Sequence, residues 1–215
     1  MFRPVAILAS LAVLAGGAAA CGDDEQSDAT AAKATPDPVA QIDTLTGRST
    51  DVQLDQGFVK ALGTLELTPA AVGDGRITPA GVARFPITGG NVTYYKPGSV
   101  APYVRGEIDH AGSGLSLTGG GKTVKLTDFV VDPGKSVLTG KVTVDGKVAA
   151  ESAPLFFLDG RTLQPLKTAG STAVLQGTTV KLKDEAATLL NDTFGTDALE
   201  GGLVIGVAKI TVNVA

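Results

Sequence analysis

The stretch TVKLTDFVVDPGKSVLTGKVTVDGKVAAESAPLFFL, residues Thr123 to Leu158, decides the fold. Its apolar and polar residues alternate with a period of two, which is typical of strands that bury one face. Two turn signals divide it, Asp132-Pro133-Gly134 and Asp145-Gly146. Because Asp-Gly readily adopts the positive φ angles of a tight turn, the stretch predicts consecutive antiparallel strands.

The same pattern continues over the rest of the chain. Short alternating runs recur and are separated by turn signals, so the sequence predicts a mainly β domain built as an antiparallel sandwich or a barrel-like sheet. The further runs are VTYY near Val92, GLSL at Gly114 to Leu117, TTVKL from Thr178 and KITVNV at the end, and the further turn signals are Gly119-Gly120-Gly121 and Asp159-Gly160.

Two segments depart from this pattern and resemble each other. Thr50 to Leu54 and Thr178 to Leu182 both read T-x-V-x-L, and each precedes a run of apolar residues at helical spacing. Further on, GVARFPI (81–87) matches GVAKITV (206–212). We interpret these segments as a pseudo-repeated strand–helix–strand unit, with the alternative that T-x-V-x-L is simply a common strand sequence.

The two short helices of this repeat are predicted to bury one apolar face each. Asp55 and Asp184 stand near their starts, where a carboxylate can accept hydrogen bonds from free backbone N–H groups. Leu62 and Leu190 are predicted to occupy equivalent buried positions. The full apolar sets are Phe58, Ala61, Leu62 and Leu65 in the first helix and Ala186, Leu189, Leu190 and Phe194 in the second.

The N-terminal segment has the pattern of a secretory signal peptide. Arg3 precedes an apolar run that ends in Ala18-Ala19-Ala20, directly before Cys21, the only cysteine. The run from Val5 to Ala20 has 16 residues, fewer than the roughly 18 that predict a membrane-spanning helix.

Small residues directly before a cysteine resemble the lipobox of bacterial lipoproteins. This resemblance implies that Cys21 carries the lipid, since a thiolate is the nucleophile that would accept it, and that several acyl chains hold the protein durably on the extracytoplasmic side of the membrane. The alternative is ordinary signal cleavage after Ala20, which leaves Cys21 unmodified.

Composition divides the chain into three parts: a signal peptide (1–20), an acidic linker that begins with the lipidated cysteine (21–49) and a single β-rich domain (50–215). The linker takes six of the 22 acids and two of the 18 bases, and Arg3 takes another base, so the domain keeps 16 acids and 15 bases. Phosphate binding requires a clustered excess of Lys and Arg. No nucleic-acid partner is therefore expected, and the envelope ligand or protein partner is left unspecified.

The candidate binding residues gather in one stretch, NVTYYKPGSVAPYVRGEIDH. It holds every tyrosine of the chain, Tyr94, Tyr95 and Tyr103, together with the only histidine, His110. Prolines mark a loop within it, and loops often carry binding residues. Adjacent strand residues point to opposite faces, so only one of Tyr94 and Tyr95 is expected in any one site. The alternative is structural, with the tyrosines covering a sheet edge and the histidine hydrogen-bonded in a turn or at an edge.

Catalytic and metal motifs find little support. A single histidine excludes a multi-histidine metal site, no G-x-S-x-G nucleophile elbow occurs, and GGGKT (119–123) lies between strands rather than before the helix that a phosphate loop needs. No metal site and no catalytic residue are predicted, and the protein is not expected to be an enzyme. The alternative is a hydrolase of envelope polymers whose carboxylates come from distant strands.

The order FPITGG, GEIDHAGSGLSLTGG, TVKLTDFVVDPGKSVLTGKV resembles the HtaA-type domains of actinobacterial surface proteins. The most specific match is G-x-I-x-H-x-G-x-G-L-x-L at Gly106 to Leu117. The resemblance implies a β-rich fold and makes haem a candidate cofactor, because some of these domains take up haem through Tyr and His. It would place Tyr95 or Tyr103 on the iron, with His110 as second ligand or hydrogen-bond partner. The expected function is therefore that of a lipid-anchored binding or structural protein of the cell envelope.

Overall fold

The computed structural model describes residues 35–214, so the predicted signal peptide and Cys21 lie outside the described residues. Strands dominate this part of the chain, with two α-helices, α1 (Gln56–Thr64) and α2 (Asp184–Phe194), and one 3-10 turn (Gly160–Thr162). The strands are β1 (Ala40–Ile42), β2 (Arg48–Leu54), β3 (Thr68–Gly73), β4 (Arg76–Ile77), β5 (Val82–Pro86), β6 (Gly89–Tyr94), β7 (Val104–Gly119), β8 (Lys122–Asp132), β9 (Val137–Val144), β10 (Lys147–Asp159), β11 (Lys167–Ala169), β12 (Thr172–Leu182) and β13 (Val204–Asn213).

The strands form one antiparallel sheet in the order β1-β6-β7-β8-β9-β10-β12-β13-β2-β5-β4, with β3 paired to β7 and β11 to β12. The sheet curls on itself. Strand β5 pairs with β2, and β6, only two residues later, pairs with β7 at the other end of the order. Between them, Ile87 N–H donates to Arg48 O (2.7 Å) and Thr88 N–H to Asp109 O (2.8 Å). The predicted antiparallel, barrel-like sheet with two short helices is confirmed.

The turns explain why neighbouring strands pair. Between β9 and β10, Asp145 and Gly146 have φ angles of 49° and 80°, the left-handed conformation that a two-residue hairpin turn requires. The Gly-rich turn after Gly119 and the turn at Pro133 likewise join paired strands. The Asp159-Gly160 signal does not mark a hairpin, because Asp159 instead accepts the N–H of Arg161 and begins the 3-10 turn.

The pseudo-repeat is present in the order of elements, since β2, α1 and β5 correspond to β12, α2 and β13. In the sheet the four strands lie side by side as β12-β13-β2-β5. The strand register within the two units differs by two residues. Val52 pairs with Ala83, the third residue of GVARFPI, whereas Val180 pairs with Gly206, the first residue of GVAKITV. The first unit also contains β3 and β4 between its helix and its last strand.

The helix starts are capped differently. Asp55 caps α1 as predicted, since Oδ1 accepts the N–H groups of Gly57 and Phe58 at 2.8 and 3.2 Å. Asp184 does not cap α2. Lys183 occupies the cap position without a side-chain hydrogen bond, and Asp184 lies in the first turn, where its charge interacts favourably with the helix dipole.

Both helices bury part of their predicted apolar set, namely Phe58, Leu62, Ala186 and Leu190, whereas Ala61, Leu65, Leu189 and Phe194 are half-buried. Leu62 is 2% exposed and Leu190 is 4% exposed. Helix α1 packs on β13 and β3, and α2 packs on β10 and β8. Within residues 35–214, neither helix has the length and apolar character required to cross a membrane.

The ordered sheet begins earlier than the predicted domain start at Thr50. Ala40–Ile42 already pairs with β6, Leu45 is buried, and β2 starts at Arg48. The sequence signal here is weak, because a three-residue strand beside Asp and Pro residues resembles a linker in composition.

Candidate functional site

The inside of the curled sheet is not filled by side chains. A cavity of about 630 Å³ lies there, with walls contributed by nearly all of the strands. Its lining is predominantly apolar because alternate residues of each strand face inward. Aromatic and aliphatic members of the lining include Ile42, Val52, Phe85, Val92, Ile108, Phe129, Val131, Leu138, Phe156, Leu158, Val180, Ile205 and Ile210.

Two of the three tyrosines meet at this cavity. Tyr94, the last residue of β6, is buried, and Tyr103 lies just before β7 and is half-buried; both line the cavity. Their rings pack edge to face with centroids 6.0 Å apart. Burial, with a smaller contribution from neighbouring Tyr94, raises the pKa of Tyr103. Tyr103 therefore presents a neutral phenol to the cavity, packed against the ring of Tyr94.

Tyr95 faces the other way, as the alternation of strand residues predicts. It is not among the residues that line the cavity, and the guanidinium of Arg105 lies 5.2 Å from its ring centroid. Its backbone N–H donates to Tyr103 O at 2.7 Å. Tyr95 thus helps to fix the loop that carries Tyr103.

His110 is neither in a turn nor at a sheet edge. It lies within β7, is 1% exposed and lines the cavity. Its Nδ1 is 2.9 Å from Pro86 O, and because a carbonyl only accepts, Nδ1 must carry the proton. Nε2, 3.2 Å from Thr50 Oγ1, then accepts from that hydroxyl.

Burial also fixes the charge of His110. Removal of the ring from water lowers its pKa, although the Pro86 carbonyl and Asp109 act in the opposite direction. The imidazole is therefore neutral at neutral pH, with its one lone pair on Nε2. Such a nitrogen, oriented by a carbonyl behind it, is the usual form of a metal-binding histidine.

Sequence reasoning missed the aromatic residues around His110. The His110 ring contacts Phe85 (centroids 6.4 Å apart), Phe85 contacts Phe129 (5.2 Å), and Phe129 contacts Phe156 (6.5 Å). These side chains come from four strands, and all line the cavity. The signal that could have indicated them is their inward position in the alternating pattern.

The structure separates the tyrosine pair from His110. Tyr94 is opposite Val104 in the β6–β7 ladder, and His110 lies six residues further along β7. At about 3.3 Å per residue this corresponds to roughly 20 Å of strand. The phenols and the imidazole therefore line parts of the cavity that are separated along the direction of β7.

Charged side chains contribute to the lining at one place. Asp159 and Arg161 both line the cavity, and Asp159 accepts from Arg161 Nη2 at 2.6 Å and from Lys181 Nζ at 2.9 Å. These hydrogen bonds hold the pKa of Asp159 well below its usual range. Within residues 35–214, Asp159 is the only carboxylate in the lining, so this part of the chain offers the cavity no pair of carboxylates for glycoside hydrolysis.

Within residues 35–214, no cluster of three or more His, Cys, Asp or Glu side chains has the arrangement of a metal site. Iron in a porphyrin differs from such an ion because the porphyrin supplies most of its ligands and the protein needs to add only one or two. A single accessible imidazole or phenol is therefore sufficient for haem.

Comparison with known proteins supports the fold. No protein-family model matches the sequence, and no curated protein is significantly similar to it. The fold is similar to that of the C-terminal domain of HtaA from Corynebacterium glutamicum, with a TM-score of 0.55 and 14% identity over 79% of this chain and 98% of that one. The resemblance to HtaA-type domains is thus confirmed for the fold.

A second, more distant similarity is to the haem-binding protein HtaB from the same organism. The TM-score is 0.45 and the identity 13%, over 81% of this chain and 94% of that one. Neither comparison assigns a ligand to this chain, because identities this low concern the fold alone.

Proposed function

We propose that this protein is a binding protein that encloses a bulky, mostly apolar small molecule within its curled sheet. The observation that carries the proposal is the cavity of about 630 Å³ with apolar walls. Small-molecule sites typically measure about 300 to 1,000 Å³ and combine apolar walls with a few polar groups. Here the polar groups include the phenols of Tyr94 and Tyr103, the imidazole of His110 and the hydroxyl of Thr50.

The cavity can be tested with a neutral apolar fluorophore, N-phenylnaphthylamine. We expect saturable binding that Val92→Trp weakens strongly, because Val92 lines the cavity and a larger side chain there occupies ligand space. Val207→Trp is the matched control, since Val207 is 46% exposed on another strand and lies outside the lining. Equal affinities of the two variants, or the absence of binding to the unmodified chain, would contradict the proposal.

Haem is the first natural ligand to test. The cavity has the size for it, and the neutral His110 has the protonation that iron ligation requires, with Nδ1–H held by Pro86. The His110 Nε2 would hold the iron after Thr50 turns its hydroxyl away. Tyr94 and Tyr103 would contact another part of the ligand, and Tyr95, outside the lining, would have no contact with it. When bound, haem would supply an iron centre that accepts ligands or electrons.

Haemin titration tests this assignment. We expect a saturable Soret shift that His110→Ala removes and that Tyr95→Phe leaves unchanged. A shift that depends on Tyr103 rather than His110 would favour a phenolate ligand, as the sequence-based expectation had it. A shift that survives loss of Tyr94, Tyr95, Tyr103 and His110 together would exclude coordination by these residues.

We further propose that the protein acts outside the cytoplasm, attached to the membrane through lipid on Cys21. The support is the sequence pattern of residues 1–21, with small residues directly before the cysteine. An acidic linker follows, long enough to hold the domain clear of the membrane surface. In this position the protein would capture or store its ligand rather than transform it.

A further inference from the structure

Among the described residues, one cationic side chain contributes to the predominantly apolar lining of the cavity, and it indicates the class of ligand. Arg161 lines the cavity, and its side chain is 82% exposed. No lysine lines the cavity in the part of the chain that the structure describes, and His110 is neutral there. We propose that Arg161 binds an anionic group, such as a carboxylate, of a ligand whose apolar body lies inside the cavity. This inference rests on the proposed function.

The balance of charge around Arg161 supports this assignment. Asp159 is 8% exposed at its side chain and is paired with two cations, Arg161 and Lys181. Two positive charges and one negative charge leave a net positive charge at the edge of an apolar cavity. An anionic ligand group would neutralise it, whereas a neutral ligand would leave it unbalanced.

The hydrogen bonds leave donors available for such a group. Arg161 uses Nε and Nη2 toward Asp159, at 2.9 and 2.6 Å. A guanidinium has five N–H groups, so the two on Nη1 are available to a ligand. Lys181 Nζ remains 2.9 Å from Asp159. Arg161 can therefore turn toward a ligand without leaving the charge of Asp159 unpaired.

The ligand class that follows is an amphipathic acid, with a large apolar body and one or more carboxylates. Haem belongs to this class because it carries two propionates, and long-chain fatty acids belong to it as well. The shared chemistry is the pairing of a carboxylate with a guanidinium, for which the planar fork of arginine is well suited.

Two fluorescent probes with the same aromatic skeleton separate charge from shape. N-phenylnaphthylamine is neutral, and anilinonaphthalene sulfonate carries an added anionic group. We expect Arg161→Gln to weaken binding of the anionic probe about threefold to fivefold, the upper part of the range for an exposed ion pair, and to leave binding of the neutral probe unchanged. Arg161→Lys should retain most of the affinity. Higher salt should weaken the binding of the anionic probe only.

Lys122→Gln is the matched control, because Lys122 is an exposed cation outside the lining. An equal effect of Lys122→Gln and Arg161→Gln, or equal losses for both probes, would overturn the inference. So would binding of the anionic probe that Val92→Trp leaves intact, since the anion would then lie outside the cavity. Each of these results would leave the proposed function standing, whereas absence of neutral-probe binding would contradict the proposed function itself.

Discussion

Replacing Thr50 by Val should destabilise the protein far more than removal of one hydroxyl from a surface would. Thr50 is 6% exposed and its hydroxyl is the donor to His110 Nε2 at 3.2 Å. Valine has nearly the same shape, so the change removes the hydrogen bond and leaves a buried nitrogen without a donor. An unsatisfied buried polar group costs about 1 to 3 kcal/mol, and we expect a loss of that size in the free energy of unfolding.

The assay is urea unfolding at neutral pH followed by circular dichroism. Combining Thr50→Val with His110→Gln should cost less than the sum of the single changes, because the two residues interact directly. Thr88→Val is a useful comparison, since its hydroxyl is bonded to backbone groups in an exposed position. A change of less than about 0.5 kcal/mol for Thr50→Val would refute the reasoning.

The pH dependence of stability tests the same histidine. Burial lowers the pKa of His110 below its ordinary value of 6.5, so the folded protein resists a proton that the unfolded chain accepts. Stability is therefore complete above about pH 6.5 and falls as the pH drops toward the folded pKa, by up to about 1.4 kcal/mol per pH unit. His110 is the only histidine. The carboxyl groups whose pKa is lowered change the stability only in more acidic solution. A flat profile between pH 7 and 5, or an unchanged slope in His110→Gln, would contradict this.

The remaining predictions concern the helices and the N-terminus. Leu62→Ala and Leu190→Ala should each cost about 2 to 5 kcal/mol in urea unfolding, whereas Val59→Ala, at a position 49% exposed, should cost less than about 1 kcal/mol. Asp55→Ala should cost about 1 kcal/mol through loss of the α1 cap, and an unchanged stability would show that the cap contributes nothing. Cys21→Ser should shift the protein from the detergent phase to the aqueous phase, and unchanged partitioning would exclude lipid anchoring.

Much of the fold could be predicted because it depends on local signals. Alternating runs specify strands, and Asp145-Gly146 specifies the hairpin between β9 and β10. The prediction of a hairpin at Asp159-Gly160 was wrong because Asp159 bonds to Arg161 in the 3-10 turn and to Lys181 on β12. The second partner is distant in sequence, so no local signal indicates it. Curling of the sheet depends on contacts between β5, β6 and β7 that no local pattern contains.

The candidate site could be predicted only in part. Sequence identified Tyr94, Tyr103 and His110 because rare side chains in one stretch are conspicuous. It could not show that His110 lies on β7 about six residues beyond the position paired with Tyr94, or that His110 is bonded to Thr50. The alternating pattern could indicate that Phe85 faces inward, but it could not show that Phe85 meets His110, because that contact depends on which inward-facing residues come together when distant strands form one sheet.

Native mass spectrometry of the full chain, extracted gently from the cells that produce it, tests the central claim most directly. We predict that a fraction of the protein carries a single non-covalent molecule of defined mass, that organic solvent releases it, and that Val92→Trp reduces this fraction while Val207→Trp preserves it. A chain that carries no such molecule, and that binds neither haemin nor the neutral probe when these are supplied, would contradict the assignment of the cavity as a ligand site.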